Sequence, residues 1–581
     1  MMRLRSLANW ALGGLLAVML ADTALAQARL TQTIELQPGW NAIYVEVQPE
    51  DQDIESVFSG IPVASVWRWF PETPGVDFIQ DPAEGLLEIN GWFGYFPEPR
   101  PEAFLSTLFT VTANQAYLVD LDSQSPVTLS ITGTPVVRSR SWLSSGFTLT
   151  GFPVTSTNPP TFSEFFAPSP AHVGQPVYAL GEDGVWDLIP ASTAIEEGRA
   201  YWVFTSGASN YQGPLQVSLE SQVELDYGAA LNEAQIALFN NTDLPTDFFV
   251  RRISSERVPL VFELVDPETQ EIGFPLLPEV LAVAVPPDGD SLLNLGIQRR
   301  DFTETHQEEI LEIDNGMGVR QRIFVAGDTI QPVILATAKN GARGPKAVMD
   351  PFAGLWIGTV LVNQVSESQL AGTTPLPTNH PFPMRVMLHV DQAGEVKFLK
   401  EVIKMWQDGV YAPSPVNPEF QVVDEPGRFV LLTRDELIPN FSGAAVREGQ
   451  PVGIRYSTVT YDFPGDTLDM TGSVGPNGQV SVVIEVPFDH PTNPFFHRYH
   501  PDHDNLDPQF LNEVAEAQDL SREVTLTFAA EDPSGSNDPA YLSEFIAGTF
   551  QETILGLHRN PIFVAGTFRL ERISTVSVLN Q

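Results

Sequence analysis

The sequence predicts an all-β protein with minor helices: tandem small β-rich repeats, an immunoglobulin-like β-sandwich and a larger C-terminal β-barrel or sandwich domain. Three observations predict it. Short runs of alternating apolar and polar residues recur between turn residues, and 49 Pro and 43 Gly leave little room for long helices. The same order of five features occurs twice in the first part of the chain. There is no cysteine, so stability must come from buried apolar area, which 43% hydrophobic residues and 36 Phe can supply.

The chain opens with an export pattern. Arg3 and Arg5 are followed by an apolar run over residues 10–20 and by the small-x-small triplet Ala24-Leu25-Ala26. The run is too short for a stable bilayer-spanning helix, so residues 1–26 read as a signal peptide and the protein as exported, to the periplasm, the cell surface or beyond. No later stretch approaches the roughly 20 uninterrupted apolar residues of a membrane helix. The apolar run 280–285 is ended by Pro286-Pro287.

Two repeats are expected, over 27–136 and 137–222. The first opens with Gly39-Trp40-Asn41-Ala42-Ile43 and the second with Gly146-Phe147-Thr148-Leu149-Thr150. Each continues through a short helical piece (54–58 and 162–166) and a β run (65–69 and 176–180). Ala116-Tyr117-Leu118-Val119 then matches Ala200-Tyr201-Trp202-Val203, and Val127-Thr128-Leu129-Ser130-Ile131 matches Leu215-Gln216-Val217-Ser218-Leu219. The first copy carries an insertion around residues 71–101. From 223 to 340 short alternating strands read as an immunoglobulin-like sandwich. Its Gly228 and Asn240-Asn241-Thr242 resemble such modules in secreted bacterial proteins. Residues 339–346, polar and locally basic, read as a boundary loop. Residues 341–581 read as one large β domain, with a helix over 507–520 where Phe510, Val514 and Ala517 repeat at helical spacing.

Charge excludes some functions. With 73 Asp and Glu against 31 Lys and Arg, the formal charge is −42. That field repels phosphate backbones and anionic lipid, which argues against nucleic-acid and simple membrane-surface binding. Catalytic signatures are missing too: no Gly-x-Ser-x-Gly, no His-Glu-x-x-His, no phosphate-binding Gly-rich loop and no cysteine nucleophile.

Two places carry candidate chemistry. Four of the nine histidines fall between residues 487 and 508, where five prolines forbid a continuous helix. His497, His500 and His503, with Asp502 and Asp504, have the donor atoms that suit a divalent metal. The same side chains equally suit a structural role, bonding backbone groups to pin a long loop, and this is the favoured reading. No other cofactor is implied. The second place is aromatic: Trp40, Trp67, Trp69 and Trp92 in the first repeat would serve as a ligand-binding, sugar-stacking platform, or simply as core.

The stretch Asn493-Pro494-Phe495-Phe496-His497-Arg498-Tyr499-His500-Pro501-Asp502-His503-Asp504-Asn505, with Gly354-Leu355-Trp356-Ile357-Gly358, resembles a set of uncharacterised secreted bacterial proteins with multiple β domains. The resemblance implies surface or extracellular placement and no established activity. The functional expectation is a secreted, non-enzymatic multidomain β protein that acts by interaction at the cell surface or in the extracellular matrix, on a surface protein or a polysaccharide. The alternative is an extracellular carbohydrate-binding or carbohydrate-active protein.

Overall fold

The computed structural model describes residues 28–70, 91–219, 223–329, 350–370, 374–413, 421–441, 446–447, 450–451, 453–458, 460–496 and 518–581. The export pattern, the basic stretch 339–346 and nearly all of the helix expected over 507–520 lie outside them. Leu520, at the end of that expected helix, opens a strand instead.

Twelve strands and two short α-helices build the described N-terminal part. Strands β1 (Leu30–Leu36), β2 (Gly39–Val45) and β3 (Val47–Pro49) precede helix α1 (Ile54–Val57) and strands β4 (Val63–Trp69), β5 (Trp92–Tyr95), β6 (Gln115–Leu121) and β7 (Val127–Pro135). Then come β8 (Gly146–Thr150), α2 (Phe162–Phe166), β9 (Val177–Leu180), β10 (Trp186–Ile189), β11 (Tyr201–Thr205) and β12 (Leu215–Leu219). One antiparallel sheet has the order β2-β6-β4-β5 and the next β8-β11-β9-β10.

Local chemistry explains these elements. Along β6 the side chains of Tyr117, Val119 and Leu121 point into a core and those of Ala116, Leu118 and Asp120 point out, as the two-residue period of a strand requires. The Asp53 carboxylate accepts from the Glu55 N–H at the start of α1, and Thr161 and Glu164 form a reciprocal capping box on α2. Each one-turn helix survives by packing: Ile54 is buried in one, and Phe162, Phe165 and Phe166 in the other. The Thr112 N–H donates to the Tyr117 hydroxyl at 2.8 Å, and the Glu196 N–H donates to the Tyr201 hydroxyl at 3.0 Å.

Strand β12 leaves the second unit and pairs with Glu233–Asn240, in a four-stranded sheet completed by Gly289–Ile297 and Leu260–Phe262. A five-stranded sheet faces it, with Arg320–Asp328 and His306–Asp314 at its centre. Leu238, Leu295, Val250 and Ile323 of this sandwich share one continuous apolar cluster with Phe152, Phe165 and Tyr201 of the second unit. The boundary expected near residue 222 therefore runs between strands with a common core.

The last part is a closed eight-stranded barrel, running from Gly354–Val365 round to Ile562–Ser574. Trp356, Leu388, Phe398, Leu526 and Phe550 fill its interior, as expected for an eight-stranded barrel packed with side chains. Inside, Arg522 Nε meets Glu552 Oε1 at 2.5 Å and its guanidinium lies 4.3 Å from the centre of the Tyr461 ring. Asn232 of the sandwich donates to Glu544 of the barrel at 2.7 Å.

Candidate binding site

The two N-terminal sheets turn their outer faces toward each other. On the first, the outward positions are Trp40 and Ala42 of β2, Ala116 and Leu118 of β6, Trp67 and Trp69 of β4, and Trp92 of β5. On the second they are Phe147 and Leu149 of β8, Trp202 and Phe204 of β11, Tyr178 and Leu180 of β9, and Trp186 of β10. Small residues allow close approach at the centre. Ala42, Ala116 and Ala200 are buried there with Leu149 and Leu180, and Trp69, Trp92, Trp186 and Trp202 pack around them.

Backbone bonds fix this contact. The Tyr44 N–H donates to the Gly198 carbonyl at 2.8 Å, and the Ala200 N–H donates to the Ala42 carbonyl at 2.9 Å. Position 151 must be glycine for it, because a Cβ there would stand 2.3 Å from Tyr44 Cβ. Arg320 of the sandwich closes the junction. Its Nη2 meets Glu46 Oε2 at 3.0 Å and Glu197 Oε1 at 2.5 Å, so one buried guanidinium ties together all three parts.

Beyond the alanines the sheets splay into an open aromatic slot of about 540 Å³, lined by Trp69, Leu143, Phe147, Tyr178, Trp186 and Trp202. Trp202 is its hub: ring centres lie 4.9 Å away at Trp69 and 6.2 Å away at both Trp92 and Trp186, all edge-on. Edge-on packing is the favourable arrangement for such rings, and it holds the indoles in fixed orientations. Trp69 also lines a second, polar cleft of about 300 Å³. Its lining carries Asn114, Gln115, Gln212, Gln321, Arg138 and Arg140 beside the Tyr44 hydroxyl. The slot offers ring faces, and the adjoining cleft offers hydrogen-bonding groups.

The four tryptophans read from the sequence do not form one platform. Trp69 and Trp92 belong to the cluster around the slot, but their partners come from the second unit. Trp67 is engaged elsewhere: Phe96 meets it edge-on at 5.5 Å, Gly94 lies under its ring, and its Nε1 donates to Ser65 Oγ at 2.8 Å. Trp40 is 41% exposed and stands apart, and a Cβ at Gly184 would lie 3.6 Å from it. Sequence reasoning missed Leu143, Phe147, Tyr178, Trp186 and Trp202 as site residues. The available signal was the outward phase of Tyr178 and Trp202 on β9 and β11, whose inward Val177, Ala179, Tyr201 and Val203 are apolar; Leu143 precedes β8, outside any strand.

The metal candidates His497, His500, His503, Asp502 and Asp504 lie outside the described residues. Among the described residues, no group of three or more His, Asp or Glu is placed to hold a metal ion. What is described is the base of that loop. Asn493 is fully buried; its amide donates to the carbonyls of Val486, Pro487 and Gln518 and accepts from the Phe495 N–H at 2.9 Å. The Phe488 N–H donates to Asp519 Oδ1 at 2.8 Å, so the two ends of the loop are clipped together.

One buried histidine was not anticipated. His172 shares hydrogen bonds with Ser169 Oγ (2.7 Å) and Thr205 Oγ1 (3.2 Å) and stacks on Phe166. Burial, reinforced by the nearby Arg140 charge, pulls its pKa down to about 4. Among the described residues no carboxylate bonds to it; its partners are the Ser169 and Thr205 hydroxyls and the Phe166 ring.

No family model matches the chain, and no curated protein matches it. Solved structures that resemble it include the CupB2 chaperone of Pseudomonas aeruginosa, 13% identical, covering 31% of this chain and 96% of that one, with a TM-score of 0.14. Two proteins of unknown function from Bacteroides ovatus are each 8% identical. They cover 62% and 58% of this chain and 93% and 84% of their own, with TM-scores of 0.13 and 0.14. At such scores these likenesses carry no argument about fold or function.

Proposed function

We propose that this chain is an exported, non-enzymatic multidomain β protein that works by binding, and that the slot and cleft sharing Trp69 hold carbohydrate. The observation that carries the reading is this juxtaposition. Apolar C–H faces of a sugar ring stack on indole and phenol rings, and its hydroxyls need planar amides and guanidinium groups alongside. Trp69, Tyr178, Trp186 and Trp202 supply the first, and Asn114, Gln115, Gln212 and Arg138 the second.

The export part of the proposal rests on the N-terminal pattern of Arg3, Arg5 and Ala24-Leu25-Ala26. We take the two N-terminal units as copies of one module, which their common strand order and the paired Tyr117 and Tyr201 bonds support. We take the nine strands of the two facing sheets, β12 among them, as an immunoglobulin-like sandwich, in keeping with their packing on one core.

Affinity electrophoresis of the full chain through gels containing a panel of polysaccharides tests the binding claim. At least one polymer should retard the protein. Trp202→Ala and the more peripheral Trp186→Ala should each weaken retardation, roughly thirtyfold for a loss of about 2 kcal/mol at the hub. Absence of retardation across the panel, or retardation unaffected by both substitutions, would overturn the proposal.

A further inference from the structure

We infer that the cleft between the two N-terminal units receives an anionic substituent, a carboxylate or sulfate ester, on the saccharide held in the adjoining slot. This rests on the carbohydrate reading above and names the ligand class.

Charge is the first observation. Acidic residues outnumber basic ones by 73 to 31, yet the cleft is lined by Arg138 and Arg140 and by no Asp or Glu among the described residues. Elsewhere in the chain, Arg29, Arg199, Arg252 and Arg320 each meet a carboxylate. Arg138 and Arg140 meet none among the described residues. They sit two residues apart in the Arg138-Ser139-Arg140-Ser141 segment that joins the two units, and both face the cleft.

The second observation is an unfilled hydrogen bond. Arg140 Nε donates to Thr150 Oγ1 at 2.9 Å and Nη2 donates to the Gly151 carbonyl at 2.7 Å. Among the described residues its buried Nη1 has no hydrogen-bond acceptor in place, while the Tyr44 phenol shares a side-chain hydrogen bond with the same guanidinium. Burial lowers the guanidinium pKa, and the ionisable groups opposing that are the phenols of Tyr44 and Tyr211. A buried cationic donor left unpaired is costly, and a bound anion would satisfy it.

A third arginine stands behind the wall. Arg68 lays its guanidinium 4.1 Å from the centre of the Phe70 ring, and Phe70 lines the cleft. Arg68 Nη1 donates to Thr112 Oγ1 at 3.3 Å, and its buried Nε has no partner among the described residues. Burial depresses the Arg68 pKa, and the Arg138 charge adds to the effect, so the two cations are near neighbours. Guanidinium forks fit the paired oxygens of carboxylate and sulfate, which a single sugar hydroxyl cannot match. Because the whole chain repels polyanions, attraction here has to be local and sensitive to salt.

Titration of the full chain with dextran, dextran sulfate and polygalacturonate at low and high ionic strength tests this, read by tryptophan fluorescence. Dextran and dextran sulfate share a backbone, so their ratio isolates the anion. The acidic polymers should bind roughly tenfold tighter than dextran at low salt, and Arg140→Gln should reduce that preference by a similar factor. Arg138→Gln, at an exposed position, should do so without the folding risk of the half-buried Arg140.

Equal affinity for all three polymers, with Trp202→Ala still weakening binding, would overturn the anionic inference and leave the carbohydrate reading standing. An acidic preference untouched by both arginine substitutions would overturn the assignment to this cleft. No binding of any polymer would overturn both readings.

Discussion

Gly151→Ala probes the contact that creates the slot and the cleft. The added methyl would stand 2.3 Å from Tyr44 Cβ and Cγ and 2.7 Å from the Arg199 carbonyl oxygen. Both neighbours are held: Tyr44 is 3% exposed, and its N–H is bonded to the Gly198 carbonyl at 2.8 Å. Relief therefore requires the two sheets to separate or the backbone at 198–200 to shift. Overpacking of this kind costs about 1–3 kcal/mol. A shift would also strain the Arg140 bond to the Gly151 carbonyl, on the wall of the cleft. Gly273→Ala is the control, since nothing lies within 4 Å of a Cβ there and its backbone is not left-handed. A bare Gly→Ala change in such a place is neutral or stabilises by about 0.4–1 kcal/mol through the unfolded chain. Urea unfolding followed by tryptophan fluorescence should show a lower midpoint for Gly151→Ala, because Trp69, Trp186 and Trp202 report on this contact. Identical midpoints for the two variants would refute the packing argument.

Three further outcomes follow from other sites. Glu309 is fully buried and accepts from Arg252 Nε and Nη2 and from the Val258 N–H, so Glu309→Ala should cost the sandwich about 3–5 kcal/mol in chemical denaturation, with Glu309→Gln milder. A small effect of the alanine change would mean that water replaces the carboxylate. His172, held near a pKa of 4, stays neutral in the fold while the unfolded chain takes up a proton below about 6.5. Its stabilising contribution is therefore present above 6.5 and lost as pH falls toward 4, up to about 3 kcal/mol, and His172→Gln should flatten the melting temperature over that window. An unchanged pH slope in the variant would contradict the assignment. For the histidine loop, His497→Ala/His500→Ala/His503→Ala should lower the melting temperature of the full chain while a chelator leaves the wild type unmoved. A chelator effect that the triple variant abolishes would favour the metal reading instead.

The all-β class was legible because alternation and turn chemistry are local properties, written into runs such as Gln115 to Leu121. Closure of the barrel is not local, since it depends on Gly354–Val365 pairing with Ile562–Ser574 across some two hundred residues. The aromatic site was legible only by half. Trp67 and Trp69 look alike in sequence, two residues apart on one face, yet Phe96 and Gly94 absorb the first while the second reaches Trp202. Which outer faces meet is a tertiary matter. Its one sequence trace is the small residues Ala42, Ala116 and Ala200 at outward positions that would otherwise carry polar side chains. The arginines of the cleft were hidden for a related reason. Arg138 and Arg140 sit in a connecting segment with no periodicity, and their lack of carboxylates emerges only once the sheets are packed.

Hydrogen exchange of the full chain with and without a saturating oligosaccharide from the retained polymer tests most directly where carbohydrate sits. Protection should concentrate on peptides containing Trp69, Arg138 to Phe147, Tyr178 to Trp186 and Trp202. Protection confined to the barrel or the sandwich, with these peptides unchanged, would contradict the assignment of the slot and cleft as the binding site.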